Sequence, residues 1–184
     1  MDVSRLWSLT ALEPKVSAAV EWPSNAPPPV LVTLVVRRDA SAGGGSKSVH
    51  VVPRHVSCAK KLPLQFQVQC TGAFLAAAAL HTASDAVGPL WLRVSIGRLN
   101  EAIGMASSLA RSNTEEASIS DDAASARHRV GVLVQIDTAA LCDRRGNANR
   151  VILQLDVEVA SDAEGPFLTM ATLQSPVFTL TCLD

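Results

Sequence analysis

Tyrosine is absent from the 184 residues, and aromatic side chains together make up only 4% of them. Trp7, Trp22 and Trp91 are the only indoles, so the stacked aromatic platforms that hold single-stranded nucleic acids are nearly missing. Neither sign of charge dominates. Sixteen Lys and Arg stand against 17 Asp and Glu, for a formal net charge of −1, which is not the footprint of a strongly basic nucleic-acid binder. No apolar stretch approaches the ~18–20 residues of a membrane helix; Val30–Val36 and Gly72–Leu80 are the best candidates and both are far shorter. Asn-x-Ser/Thr sequons do not occur, and Met1–Lys15 has Asp2 ahead of its first basic residue and no sustained apolar run. An intracellular protein without membrane insertion is expected. The four cysteines (Cys58, Cys70, Cys142 and Cys182) include no Cys-x-x-Cys pair. At this density neither a disulfide framework nor a zinc knuckle is expected, and buried thiols are.

What is present is apolar material in a regular order. With 48% hydrophobic and 18% charged residues, the chain is too apolar for disorder and too poor in charge for a coiled coil. Its length suits one domain. The dominant signal has period two. Leu64, Phe66, Val68 and Cys70 alternate with Gln65, Gln67, Gln69 and Thr71; Leu90, Leu92, Val94 and Ile96 alternate with Trp91, Arg93, Ser95 and Gly97. Val151, Leu153, Leu155, Val157 and Val159 alternate with Ile152, Gln154, Asp156 and Glu158. A strand requires this pattern and a helix does not produce it. Val130–Asp137 and Val177–Leu183 follow it more loosely, Val30–Val36 reads as a strand covered on both sides, and Val49–Val52 and Phe167–Leu173 complete about eight strands. Pro29, Pro63, Pro89, Pro166 and Pro176 each stand directly before one of these runs, where a residue without a ladder donor is tolerated.

Three segments interrupt the pattern. Asp39–Lys47, with Gly43, Gly44 and Gly45, reads as a flexible hairpin connection. Gly72–Gly88 carries Ala76–Ala79 and suits two helical turns crossing a sheet end. Asn100–Arg127, rich in Ser, Ala and acids, reads as a long mobile loop with at most a short helix near Ala102–Ala106. The resulting expectation is a mainly β, two-layer antiparallel β-sandwich of immunoglobulin-like or C2-like type, with a closed β-barrel as the alternative. Residues 1–29 are a lead-in, and 30–184 are the sandwich with its mobile loop at 100–127. Phe66, Val68, Leu92, Val94, Val134, Leu153, Leu155 and Val157 share the apolar phase and should form one core.

No constellation with chemistry stands out. Gly43–Ser48 superficially resembles a phosphate-binding loop, but Ser46 rather than Gly precedes Lys47, and a strand rather than a helix follows. His50 and His55 have a ligand-like spacing, with Cys58 and Cys70 nearby; the set has no second knuckle, and ordinary strand and turn residues are the favoured reading. A Gly-x-Ser-x-Gly elbow is missing, His81 and His128 read as solvated, and the acidic pairs Glu115-Glu116 and Asp121-Asp122 read as hydrated surface. Asp137, Asp143, Asp156 and Asp162 are too scattered for a calcium site. No catalytic residue, metal or cofactor is therefore assigned.

Charge is unevenly spread. Between Arg37 and Lys61 six Lys or Arg face a single Asp, whereas from Val151 to the end there are five acids and no base. Such polarity can orient a partner. The expected function is a non-enzymatic protein-interaction module, an adaptor or a subunit of an assembly. Its candidate surface comprises Trp91, which breaks the polar phase of its strand, and the basic turn residues Arg37, Arg38, Arg54, Lys60, Lys61, Arg144 and Arg145. An immunoglobulin-fold nucleic-acid-binding domain is the first alternative, and a small-ligand carrier or an enzyme is the second.

Overall fold

Alternating apolar residues become strands because successive side chains point to opposite faces, so each run presents one face that must be covered. In the computed structural model, which describes residues 3–19, 28–37, 46–59, 62–82, 90–98, 101–110, 129–142 and 147–183, these runs build three sheets. The largest has the order β1 (Ser8–Leu12), β11 (Leu168–Gln174), β10 (Gln154–Ala160), β6 (Leu90–Arg98), β7 (Glu101–Ala110) and is antiparallel throughout. A second antiparallel sheet runs β3 (Ser46–Val49), β2 (Val30–Arg37), β5 (Leu64–Thr71), β8 (Arg129–Ile136). The third places β12 (Phe178–Leu183) between β4 (His55–Ala59), to which it is parallel, and β9 (Asn147–Val151), to which it is antiparallel. The protein is mainly β, and its sheets do not close into the barrel considered as the alternative.

One hydrophobic core joins these sheets to the helices α1 (Pro14–Ala19) and α2 (Gly72–Thr82). Phe66, Val68, Leu92, Val94, Val134, Leu153, Leu155 and Val157 all belong to it, none more than 1% exposed. Each such side chain contributes about 1.5–3 kcal/mol relative to an exposed position. The Ala-rich crossover is helical as expected. Thr71 Oγ1 accepts from the Phe74 amide at 3.2 Å, an N-cap that starts α2 the moment β5 ends. Phe74, Leu75, Ala77 and Ala78 then enter the core.

The lead-in is integral to this arrangement. β1 extends the largest sheet beside β11, Val16 of α1 is fully buried, and Trp7 meets Phe66 edge-to-face with centroids 5.8 Å apart. Arg5 fastens the segment with three bonds to backbone carbonyls, donating to Val52 at 3.0 Å, Pro53 at 2.8 Å and Val177 at 2.6 Å.

Three differences from the sequence reading have physical causes. The mobile loop drawn at 100–127 opens with β7, paired to β6 from Arg98↔Glu101 to Leu90↔Ala110. Its run Glu-Ala-Ile-Gly-Met-Ala-Ser-Ser-Leu-Ala is strand-like in phase, but Ala, Gly and Ser on one phase mask the alternation. The smallness has a use: β7 packs against β8 so closely at Gly104 that a β-carbon there would lie 2.7 Å from the Gln135 carbonyl oxygen. Residues 111–127 of that loop lie outside the described residues, as do 39–45 of the glycine connection, whose last two residues, Ser46 and Lys47, open β3.

A second difference is that the run read as one strand from Val151 to Val159 is two strands in different sheets. The chain turns at Ile152–Leu153, where the Leu153 amide donates to Ser175 Oγ and the Ser175 amide donates back to the Leu153 carbonyl, both at 2.9 Å. β9–β10 and β11–β12 thus form one long antiparallel ribbon folded at a corner, a device by which strands pass between sheets. Near the corner Asn149 and Arg150 oppose Thr179 alone, and Arg150 takes φ 54°, the left-handed conformation usually given to glycine in such a bulge.

Third, the strand placed at Val49–Val52 ends at Val49 as β3, and β4 at His55–Ala59 is a further strand. Pro53 and the exposed Arg54 fill the turn between. β4 is only five residues long and takes its place by parallel pairing with β12, which its own composition does not announce.

Candidate interaction surface

β6 and β10 carry one phase into the core and leave the other on the opposite face of the largest sheet. Register partners share a face, so Trp91, Arg93 and Ser95 of β6 lie beside Ala160, Glu158 and Asp156 of β10, and Ser95 lies across from Met105 of β7. Trp91 is half-buried and stands on this outer face, opposite in phase to the fully buried Leu92. Met105 is 65% exposed. Trp91 and Ser95, Met105's partner, are four residues apart on one strand, which sets the two apolar side chains about 13 Å apart along it.

Polar groups on this face are held in fixed positions. Arg93 Nε donates to Glu158 Oε2 at 2.7 Å, with side-chain exposures of 29% and 15%, while the guanidinium carbon lies 3.9 Å from the centre of the Phe167 ring. The ring stacks under a cation that is already paired. Asp156 Oδ1 accepts from Thr172 Oγ1 at 2.7 Å, and both its oxygens face Gln154 Nε2 at 3.3 and 3.2 Å. Those donors are neutral, so among the described residues the charge of Asp156 is not balanced by a cation. In β1, the last strand of this sheet among the described residues, Ser8 and Thr10 tie their hydroxyls to the Gln174 and Thr172 carbonyls.

Of the surface expected from the sequence, Trp91 occupies this face and Arg54 does not: Arg54 is exposed in the turn leading into β4, its carbonyl accepting from the Thr179 amide at 2.8 Å. Arg37 ends β2. Arg38, Lys60, Lys61, Arg144 and Arg145 lie outside the described residues. Asp156 and Glu158 share a polar face, as their strand phase implies; Arg93 and Phe167 carry no signal of their own. Each looked ordinary alone; only the cross-strand register shows that they meet.

The four residues weighed as a metal set do not assemble. His50 is exposed, its Nδ1 2.8 Å from Thr33 Oγ1; His55 is exposed at the start of β4; Cys70 is fully buried in β5, opposite Val30 and Val130. Among the described residues no group of three or more His, Cys, Asp or Glu is arranged to hold a metal ion. His81, read as solvated, instead sets Nε2 3.6 Å from Glu13 Oε1, with its side chain 18% exposed.

Cys58 has other company. Its Sγ lies 3.4 Å from Cys182 Sγ, and Cys142 Sγ lies 3.1 Å from the same sulfur. None of the cysteines is in a disulfide. Burial, the hydrogen bond with Cys182 and the neighbouring sulfurs of Cys182 and Cys142 push the Cys58 thiol up to about 12. It is a protonated thiol at neutral pH rather than a nucleophile.

Comparison with protein-family models, with curated proteins and with solved structures gives no match in any of the three. Among the described residues, no helix is long and apolar enough to cross a membrane.

Proposed function

We propose that the chain is a non-enzymatic interaction module, an immunoglobulin-like or C2-like sandwich that binds a partner protein on the outer face of its largest sheet. The observation that carries this reading is the outer face on which the exposed Met105 thioether and the Asp156 carboxylate stand on either side of Ser95, with the half-buried Trp91 indole four residues along the same strand. Tryptophan, methionine and arginine are the side chains enriched where proteins bind one another. A complementary partner offers an apolar side chain to Trp91 and Met105 and a Lys or Arg to Asp156. The five acids and no base from Val151 onward favour the same sign of partner.

The nucleic-acid alternative draws less support. Arg93 is paired with Glu158, Arg5 is engaged by three carbonyls, and Arg98 donates to the Leu141 carbonyl; the first two stand where a phosphate would have to displace good bonds. Thiols outside any disulfide support an intracellular setting.

The test is affinity capture of the full chain from its own cells, with the native mass of the complex measured. Trp91→Ala and Asp156→Lys should each weaken the complex at least tenfold while leaving the melting temperature within a degree or so of wild type. A fall of several degrees for Trp91→Ala, with capture lost only in proportion to unfolding, would assign the indole to packing and overturn the proposal. Retention on nucleic acid that falls steeply with salt would favour the alternative.

A further inference from the structure

The three clustered thiols arrive from separate parts of the chain. Cys58 and Cys182 are direct register partners on the parallel strands β4 and β12. Neighbouring strands lie about 4.7–4.9 Å apart, inside the ~4.4–6.8 Å span between α-carbons that a disulfide bridges. Cys142 comes from the turn after the short 3-10 segment Thr138–Ala140. Asp137 caps that segment, accepting from the Ala139 amide at 2.9 Å; the Cys142 amide donates to the Thr138 carbonyl at 2.9 Å, and Arg98 holds the Leu141 carbonyl. Cys142 is therefore fixed by its backbone against Cys182. Cys58 and Cys142 are part-exposed, whereas Cys182 is 9% exposed.

We propose that Cys142, Cys182 and Cys58 form an oxidisable thiol site that a hydroperoxide converts to a Cys142–Cys182 disulfide, with Cys58 as the alternative partner of Cys182. Contacts of 3.1 and 3.4 Å between sulfurs need only about 1 Å of closure to reach bonding distance. They are also tighter than the ~3.8 Å sulfur-to-sulfur edge that four Zn–S bonds of about 2.3 Å impose, so the geometry suits a covalent bond better than a zinc ion. Attack begins at Cys142, which is part-exposed and makes the shorter of the two contacts with Cys182. Its thiolate sulfur bonds one peroxide oxygen, the O–O bond breaks, and the departing hydroxide takes a proton to become water. Cys182 sulfur then attacks the sulfenic sulfur; the S–S bond forms, the S–O bond breaks, and hydroxide leaves with the Cys182 proton as a second water. Two thiols lose two electrons and two protons, and one peroxide becomes two waters.

This site is independent of the outer sheet face and of the function proposed for it. Full-length reduced protein is treated with hydrogen peroxide, denatured, alkylated and weighed intact, and its peptides are then mapped. The expected product is about 2 Da lighter, carries two fewer alkyl groups than the reduced chain and maps to Cys142–Cys182; Cys70 stays alkylated, and dithiothreitol reverses the change. Cys182→Ala abolishes the bond, and Cys142→Ala diverts it to Cys58–Cys182 at a slower rate. The wild-type map stands without either variant should one fail to fold. Four alkylatable thiols after oxidation, a disulfide only between two chains, or a gain of about 32 Da at Cys142 with no internal disulfide would overturn the proposal.

Discussion

Replacing Gly104 with alanine probes the place where the largest sheet meets the four-stranded one. The added methyl would stand 2.7 Å from the Gln135 carbonyl oxygen, 3.2 Å from Ile96 Cγ2 and 3.3 Å from Ile136 Cγ1. The isoleucine side chains can yield by a few tenths of an ångström. The carbonyl cannot, because β8 is locked to β5 from Leu64↔Ile136 to Thr71↔Arg129. One sheet must shift against the other, an overpacking cost of about 1–3 kcal/mol. Alanine recovers roughly 0.4–1 kcal/mol by restricting the unfolded chain. The net expectation is a loss of about 1–2 kcal/mol, or roughly 2–8 °C in melting temperature for a chain of this size. Gly131, also in β8, is the internal control: its β-carbon would meet nothing nearer than 3.6 Å, so Gly131→Ala should be neutral or stabilising by up to about 1 kcal/mol. Urea and thermal unfolding of both variants, with unchanged denaturant slopes, give the answer. Equal midpoints for Gly104→Ala and wild type, or an equal loss for Gly131→Ala, would refute the close-approach argument.

Leu155 is fully buried between Ile96 and Leu173, so Leu155→Asp places an unpaired charge in the core and should abolish the cooperative unfolding transition; a soluble variant that unfolds cooperatively would show the register to be wrong. Arg150, at φ 54°, should tolerate glycine with no loss of melting temperature and lose about 1 kcal/mol as valine, which resists that conformation; the reverse order in thermal scans would remove the bulge from the account. Because the folded-state pKa of Cys58 is raised to about 12 from 9.0, the folded protein holds a proton that the unfolded chain releases. The resulting stability is complete below pH 9 and is lost as pH rises through 12. Alkaline urea titrations should show this decline, and Cys58→Ala should flatten it; an unchanged slope in that variant would assign the decline elsewhere.

How much was legible depended on side-chain size. In β5, β6 and β10 large aliphatic residues alternate with Gln, Arg, Asp and Glu, and all eight residues expected in the core are there. β7 pairs along the length of β6, yet its Ala, Gly and Ser residues carry too little hydrophobic contrast to announce a strand. The corner at Ile152–Leu153 was hidden for the opposite reason: Val151 and Leu153 are both buried, and the apolar phase runs through the break unchanged. Side-chain meetings across strands were illegible in principle. Cys142 and Cys182 are 40 residues apart and Cys58 and Cys182 are 124 apart, and nothing in their spacing announces that β4 lies parallel to β12. Trp91 alone of the expected surface was marked by its own position, as a large apolar residue on a polar phase.

The claim that the outer face of the largest sheet is where a protein partner sits is tested most directly by site-specific photo-crosslinking in the cells that make the chain. A photoreactive phenylalanine analogue replaces Met105 in one version and Leu133 in another; Leu133 is 46% exposed on β8 and serves as the comparison. The account predicts a discrete protein adduct from position 105, reduced at least tenfold by Trp91→Ala, with little or none from position 133. Adducts of equal yield from both positions, or none from position 105 while the chain is recovered in a larger complex, would contradict it.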